Sequence, residues 1–129
     1  MKKISILGAL LLLLAVTVYP GGGDDGGGPS FTGKWKTNWG TELIIDLTQN
    51  GDKVKGRYTY SENGVEVKGR IFGKLVGNTL SFRWRERIGS RKRGGRGKFV
   101  LSGDGSSFTG SWGNGDSDSN GGSWSGTRA

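Results

Sequence analysis

The chain is built on a recurring phrase, a turn followed by a short alternating segment that carries Gly-x-aromatic. Ser30-Phe31-Thr32-Gly33-Lys34-Trp35 returns almost letter for letter as Ser107-Phe108-Thr109-Gly110-Ser111-Trp112. Looser copies are Val54-Lys55-Gly56-Arg57-Tyr58, Leu80-Ser81-Phe82-Arg83-Trp84 and Trp124-Ser125-Gly126-Thr127-Arg128. Repeating one strand-and-turn unit is how a sequence encodes a β-meander that can close on itself. The 27 glycines, with Leu and Ala concentrated in the first twenty residues, argue in the same direction by disfavouring helix.

Eight strands are expected, at about 31–38, 41–48, 53–61, 65–74, 79–88, 97–102, 107–113 and 122–128. Turn signals such as Asn50-Gly51-Asp52, Glu62-Asn63-Gly64 and Val76-Gly77-Asn78 separate them. Within each strand one parity is apolar and the other polar. Val54, Tyr58 and Tyr60 oppose Lys55, Arg57 and Thr59; Leu80, Phe82, Trp84 and Ile88 oppose Ser81, Arg83, Arg85 and Arg87. Val65, Val67 and Ile71 oppose Glu66, Lys68 and Arg70, and Ile44 breaks the pattern as an apolar residue on the outer parity. This period of two predicts an inner wall and a charged outer wall.

Gly33, Gly56, Gly69, Gly110 and Gly126 share the inner parity. A narrow barrel needs such gaps opposite its large rings. The expected architecture is all-β, an eight-stranded antiparallel up-and-down barrel forming one domain over residues 31–129. An open two-sheet sandwich is the alternative. An outer-membrane barrel would need an apolar outer face, where this chain has Lys and Arg.

Lys2 and Lys3 precede an apolar stretch, Ile4 to Val18, that is shorter than the roughly 20 residues needed to span a bilayer. Residues 1–20 therefore read as a signal peptide, with an uncleaved anchor as the alternative. Residues 21–30, rich in Gly and Asp, read as a flexible tether. The expected location is outside the cytoplasm, periplasmic or extracellular.

The chain has neither Cys nor His. Disulfides, thiolate metal sites, cysteine nucleophiles and the commonest general base are thereby removed. An enzyme would have to use carboxylate pairs such as Glu86 with Asp46, whose parities point opposite ways. A non-catalytic protein without cofactor is expected.

Charge is informative once it is located. Without Lys2 and Lys3 the formal charge is +6, of which residues 83–98 carry +7 and everything else −1. Arg83, Arg85, Arg87, Arg91, Lys92, Arg93, Arg96 and Lys98 thus form a candidate polyanion site, read as an outer strand stripe followed by an Arg-Gly-Gly loop. The partner would be acidic polysaccharide, lipid headgroups or nucleic acid; a solvated loop is the plain alternative.

Gly33-x-Trp35 on the first strand and Arg128 near the end of the last resemble the calycin arrangement of lipocalins, fatty-acid-binding proteins and avidins. That resemblance implies a first-strand Trp covered by a basic side chain from the final strand, with Trp35 and Arg128 closing the barrel bottom. The opening Gly33-Lys34-Trp35-Lys36-Thr37-Asn38-Trp39-Gly40 is most similar to avidin-type barrels. The biotin-binding polar set of avidins has no position-by-position counterpart here. Serralysin-inhibitor barrels of bacterial periplasms are similar in size and strand number but contain a disulfide; the likeness keeps a protease-inhibitor role open, with the tether entering a cleft.

The interior offers a candidate site for a small apolar ligand: Trp35, Tyr58, Tyr60, Trp84, Trp112 and Trp124, with Glu86 on the same parity. The plain alternative is a filled core. An inward Glu86 requires an inward Arg, water at the mouth, or a ligand. Finally, Asp116-Ser117-Asp118-Ser119-Asn120-Gly121 matches the first half of a calcium loop. The twelfth position would be Thr127 rather than Glu, so Asp116, Asp118 and Asn120 are a weak candidate set and a polar hairpin loop is the preferred reading.

Overall fold

The structure, a computed structural model, describes residues 29–39 and 43–129. The expected signal peptide and most of the expected tether lie outside the described residues. Among those described none is helical, and no helix is long and apolar enough to cross a membrane.

The chain forms a closed antiparallel barrel of eight staves, each paired with its sequence neighbour. The strands are β1 Gly33–Thr37, β2 Leu43–Asn50, β3 Lys53–Glu62, β4 Val65–Val76, β5 Thr79–Ile88, β6 Arg91–Leu101 and β7 Ser107–Asn114. The eighth stave comes in two pieces, β8 Gly122–Ser123 and β9 Gly126–Arg128, interrupted at Trp124 and Ser125. The barrel closes because β9 pairs with β7 on one side and with β1 on the other, setting Trp35 opposite Arg128.

Alternation decides which side chains meet. Trp35, Leu43, Ile45, Leu47, Val54, Tyr58, Val67, Ile71, Leu80, Phe82, Trp84, Phe99, Leu101 and Phe108 are all buried inside. Rings of this size fit because glycine faces them from the next strand. A Cβ at Gly69 would strike the Tyr58 ring, and one at Gly97 the Phe82 ring. Val65, expected inward, is exposed because it follows the Asn63-Gly64 turn at the barrel's end.

One expectation fails in an informative way. The segment before residue 97 is not a loop: β6 begins at Arg91, and Ile88 pairs with Arg91 across the two-residue turn Gly89-Ser90. Gly89 has φ 59°, which suits the first central position of a tight hairpin turn. Its glycines then continue the ladder, and the Arg-Gly-Gly residues alternate in and out like any other strand.

The two ends of the barrel differ. The closed end carries Phe31, the turns at 51–52 and 77–78, the 102–106 turn and the C-terminus. Ser30, expected as the end of the tether, is fixed there: its carbonyl accepts a 2.6 Å bond from Arg128 Nη2. The open end carries the turns at 63–64 and 89–90 and the 115–121 loop.

Candidate functional site

At the open end a cavity of about 160 Å³ remains inside the barrel. Its walls are Trp39, Leu43, Tyr58, Trp84, Trp112 and Trp124, and its polar edge is Glu62, Glu86, Arg93 and Asn114. The rings hold one another at right angles. Trp39 meets Trp112 at 6.1 Å and Trp84 meets Trp112 at 5.7 Å, both edge to face. Trp84 is oriented by its indole N–H, which donates to the Gly113 carbonyl at 2.9 Å.

Glu86 is the one buried carboxylate among the described residues, at 7% exposure. Three donors hold it: Tyr58 Oη on Oε2 at 2.7 Å, and Tyr60 Oη at 2.9 Å and Arg93 Nε at 2.7 Å on Oε1. Arg93 Nη2 donates onward to Tyr60 Oη and to Glu62 Oε1, each at 2.8 Å. A buried charge is tolerable only when paired and hydrogen-bonded in this way. Burial first, then the Glu86 carboxylate, pushes the phenols of Tyr58 and Tyr60 well above the usual tyrosine range. The Arg93 guanidinium holds Glu62 below the ordinary carboxylate range, and Glu62 foremost raises Arg93 in turn.

The expected interior residues therefore divide. Tyr58, Trp84, Glu86, Trp112 and Trp124 line the cavity, while Tyr60 stands just behind it, bonded to Glu86 and Arg93. Trp35 does not line it. Fully buried at the closed end, its indole donates to the Phe31 carbonyl at 2.8 Å and its ring packs on Phe108. The Arg128 guanidinium lies 3.9 Å over that ring and donates to the carbonyls of Ser30, Thr32 and Gly105. A Cβ at Gly33 would come within 2.7 Å of the guanidinium, which accounts for the Gly in Gly-x-Trp.

Arg93 was expected on the outer polyanion surface and instead points into the barrel mouth. The cause is parity: counting back from the buried Phe99 through Gly97 and Gly95 reaches Arg93 on the same face. That count would have found it in the sequence, had the Gly-rich run been read as strand. Trp39 was missed because it lies beyond the end of β1, where alternation no longer applies.

Arg83, Arg85, Arg87, Lys92, Arg96 and Lys98 do lie outside, exposed, and Arg91 is exposed beside the Gly89-Ser90 turn. The calcium candidates serve other contacts. Asp116 is 3.9 Å from Arg96, Asp118 is 3.5 Å from Lys98, and Asn120 Oδ1 accepts the Asn114 N–H. Among the described residues no group of three or more acidic side chains converges on a point. Glu86 and Asp46 also stay apart, one inside and the other outward against Lys34 at 3.7 Å.

No protein-family model matches the chain, and neither a curated protein nor a solved structure matches it. The likeness to calycins accordingly stands at the level of the closed eight-stranded antiparallel barrel.

Proposed function

We propose that this is an exported, non-catalytic binding protein, a lipocalin- or avidin-like barrel whose mouth holds one small planar molecule. The observation that carries this reading is the unfilled space inside aromatic walls, in a barrel whose other end is packed solid with Phe31, Trp35, Phe99 and Phe108. An engineered apolar cavity of about 150 Å³ admits benzene, so a single-ring ligand is the right size.

Polar groups narrow the ligand further. Both Glu86 oxygens are already engaged, and the lining donors that meet no acceptor among the described residues are the second Arg93 amino group, the Asn114 side-chain amide and the indole N–H groups of Trp39 and Trp112. The buried indole N–H of Trp124 also has no acceptor among the described residues. Arg93 is outnumbered by Glu62 and Glu86, which disfavours an anionic guest. A neutral ring carrying a carbonyl or ring-nitrogen acceptor fits this set.

Native mass spectrometry of gently purified protein, followed by tryptophan-fluorescence titration with benzamide and benzoate, tests the reading. A small co-purified mass, or saturable benzamide binding that is lost in Trp112→Ala, supports it. A bare chain mass with no response to either probe would sink it.

A further inference from the structure

The outer wall of β3 to β6 is a continuous cationic surface, larger than the 83–98 segment suggests. Strand register assembles it in rows that run across the strands. Lys55, Phe72, Arg83 and Arg96 form one row; Arg57, Arg70 and Arg85 the next; Lys68, Arg87 and Lys92 the third. Lys53, Lys74 and Lys98 flank these toward the closed end, separated by Ser81. Every one of these basic side chains is exposed.

The acids that balance β3 and β4 in the sequence balance them only at the margins in space. Asp52 sits in a turn, Glu62 is engaged at the mouth, Asp46 stands opposite Arg57 in register but meets Lys34 at 3.7 Å, and Glu66 lies on the wall's mouth-side margin, opposite Ser61. On this wall Lys74, Arg96 and Lys98 meet a carboxylate, from Asp52, Asp116 and Asp118 at the margins. Among the described residues, Arg57, Lys68, Arg70, Arg83, Arg85 and Arg87 have none within ion-pair distance.

Like charges also stand directly opposite one another: Arg57 and Arg70, Arg70 and Arg85, Lys68 and Arg87, Arg83 and Arg96. Such cross-strand pairs destabilise a sheet. A fold that keeps several of them on one wall carries a cost that a bound polyanion would remove.

We propose that this wall binds a linear acidic polysaccharide, independently of the mouth cavity. Three steps between neighbouring staves of an eight-stave barrel turn through roughly 135°, so the cations fan around a convex arc. A flexible chain of carboxylate or sulfate groups can follow that arc, with guanidiniums forking onto each group. A flat bilayer touches only part of it. A rigid nucleic-acid duplex, like the bilayer, touches only part of it, and reading its bases would need a projecting helix or ribbon, which this wall lacks. Single-stranded nucleic acid needs successive stacking rings, whereas this wall offers Phe72, whose face is shared with Arg85 at 5.7 Å.

The test uses the full chain at about 50 mM salt with polygalacturonate, heparin, poly(dT) and vesicles containing phosphatidylglycerol. Polygalacturonate and heparin should bind tighter than poly(dT) or vesicles, with affinity falling steeply as salt rises. The combined variant Arg70→Gln, Arg83→Gln, Arg85→Gln and Arg87→Gln should weaken polysaccharide binding by about tenfold or more. Its melting temperature should be unchanged or higher, because the like-charge contacts are relieved. Absent polysaccharide binding, equal binding by the folded variant, or a preference for poly(dT) or vesicles overturns the proposal. Should the variant not fold, the single change Arg85→Gln and the wild-type salt dependence decide it: salt-insensitive binding is fatal.

Discussion

The two copies of Ser-Phe-Thr-Gly-x-Trp end in different surroundings, although both strands run from the closed end toward the mouth. In the first copy Trp35 is sealed beneath Arg128 and surrounded by phenylalanines. In the second, Trp112 is half-buried and lines the mouth cavity beside Trp39 and Trp84. The cause is the stagger of barrel strands. Phe108 pairs with Gly126, which pairs with Thr37, so the second copy stands six residues further along the barrel than the first. One phrase builds a plug in one place and a cavity wall in the other.

The sharpest way to break this comparison is to truncate each Trp. Trp35→Ala should destabilise by about 3–5 kcal/mol in denaturant unfolding, whereas Trp112→Ala should cost about 1 kcal/mol or less. Equal losses would mean that Trp112 is as tightly packed as Trp35.

Next in size is the charged network at the mouth. Glu86→Ala leaves the Tyr58 and Tyr60 hydroxyls and Arg93 Nε without their acceptor and should cost about 3 kcal/mol, read from the shift in unfolding midpoint. Glu86→Gln should recover part of that, since an amide oxygen can still accept from Tyr58. At the other end, Arg128→Ala removes a cation–π contact and bonds to three carbonyls, for an expected loss of about 2 kcal/mol. Arg128→Lys should rescue little, because an ammonium cannot reach three carbonyls as a planar fork does.

The mildest perturbation is alkaline pH. An unfolded tyrosine ionises near pH 10, while Tyr58 and Tyr60 are held protonated well above it when folded. The unfolded chain then binds fewer protons, so stability is intact below about pH 10 and declines as pH rises beyond it. Phenolate absorbance of these two residues should appear together with unfolding; early ionisation in the folded state would show the network is looser than described.

Much of this was legible in the sequence, because a period of two is a strong signal wherever apolar and charged residues alternate. Val54 to Tyr60 and Leu80 to Ile88 are plain examples. Trp35 with Arg128 was legible for another reason, a motif whose geometry is fixed by Gly33. Arg91 to Gly97 was not, since four of its residues are basic and three are glycine, so no apolar side chain marks the inner face. The full cationic wall was hidden as well. Net charge along the chain averages acids with bases that the register later separates, and only strand pairing puts Arg57, Arg70 and Arg85 in one row.

The Gly89-Ser90 turn also limits how this barrel can change over time. Deleting one residue there leaves the turn too short and would slip β6 by one position and exchange its faces, withdrawing Arg93 from Glu86 and turning Lys92, Arg96 and Lys98 toward the hydrophobic interior. An added residue can instead be taken up by a longer hairpin loop, because β6 is held in register by β7 on its other side. Among descendants of this sequence, deletions between Ile88 and Arg91 would be purged while short insertions there drift freely.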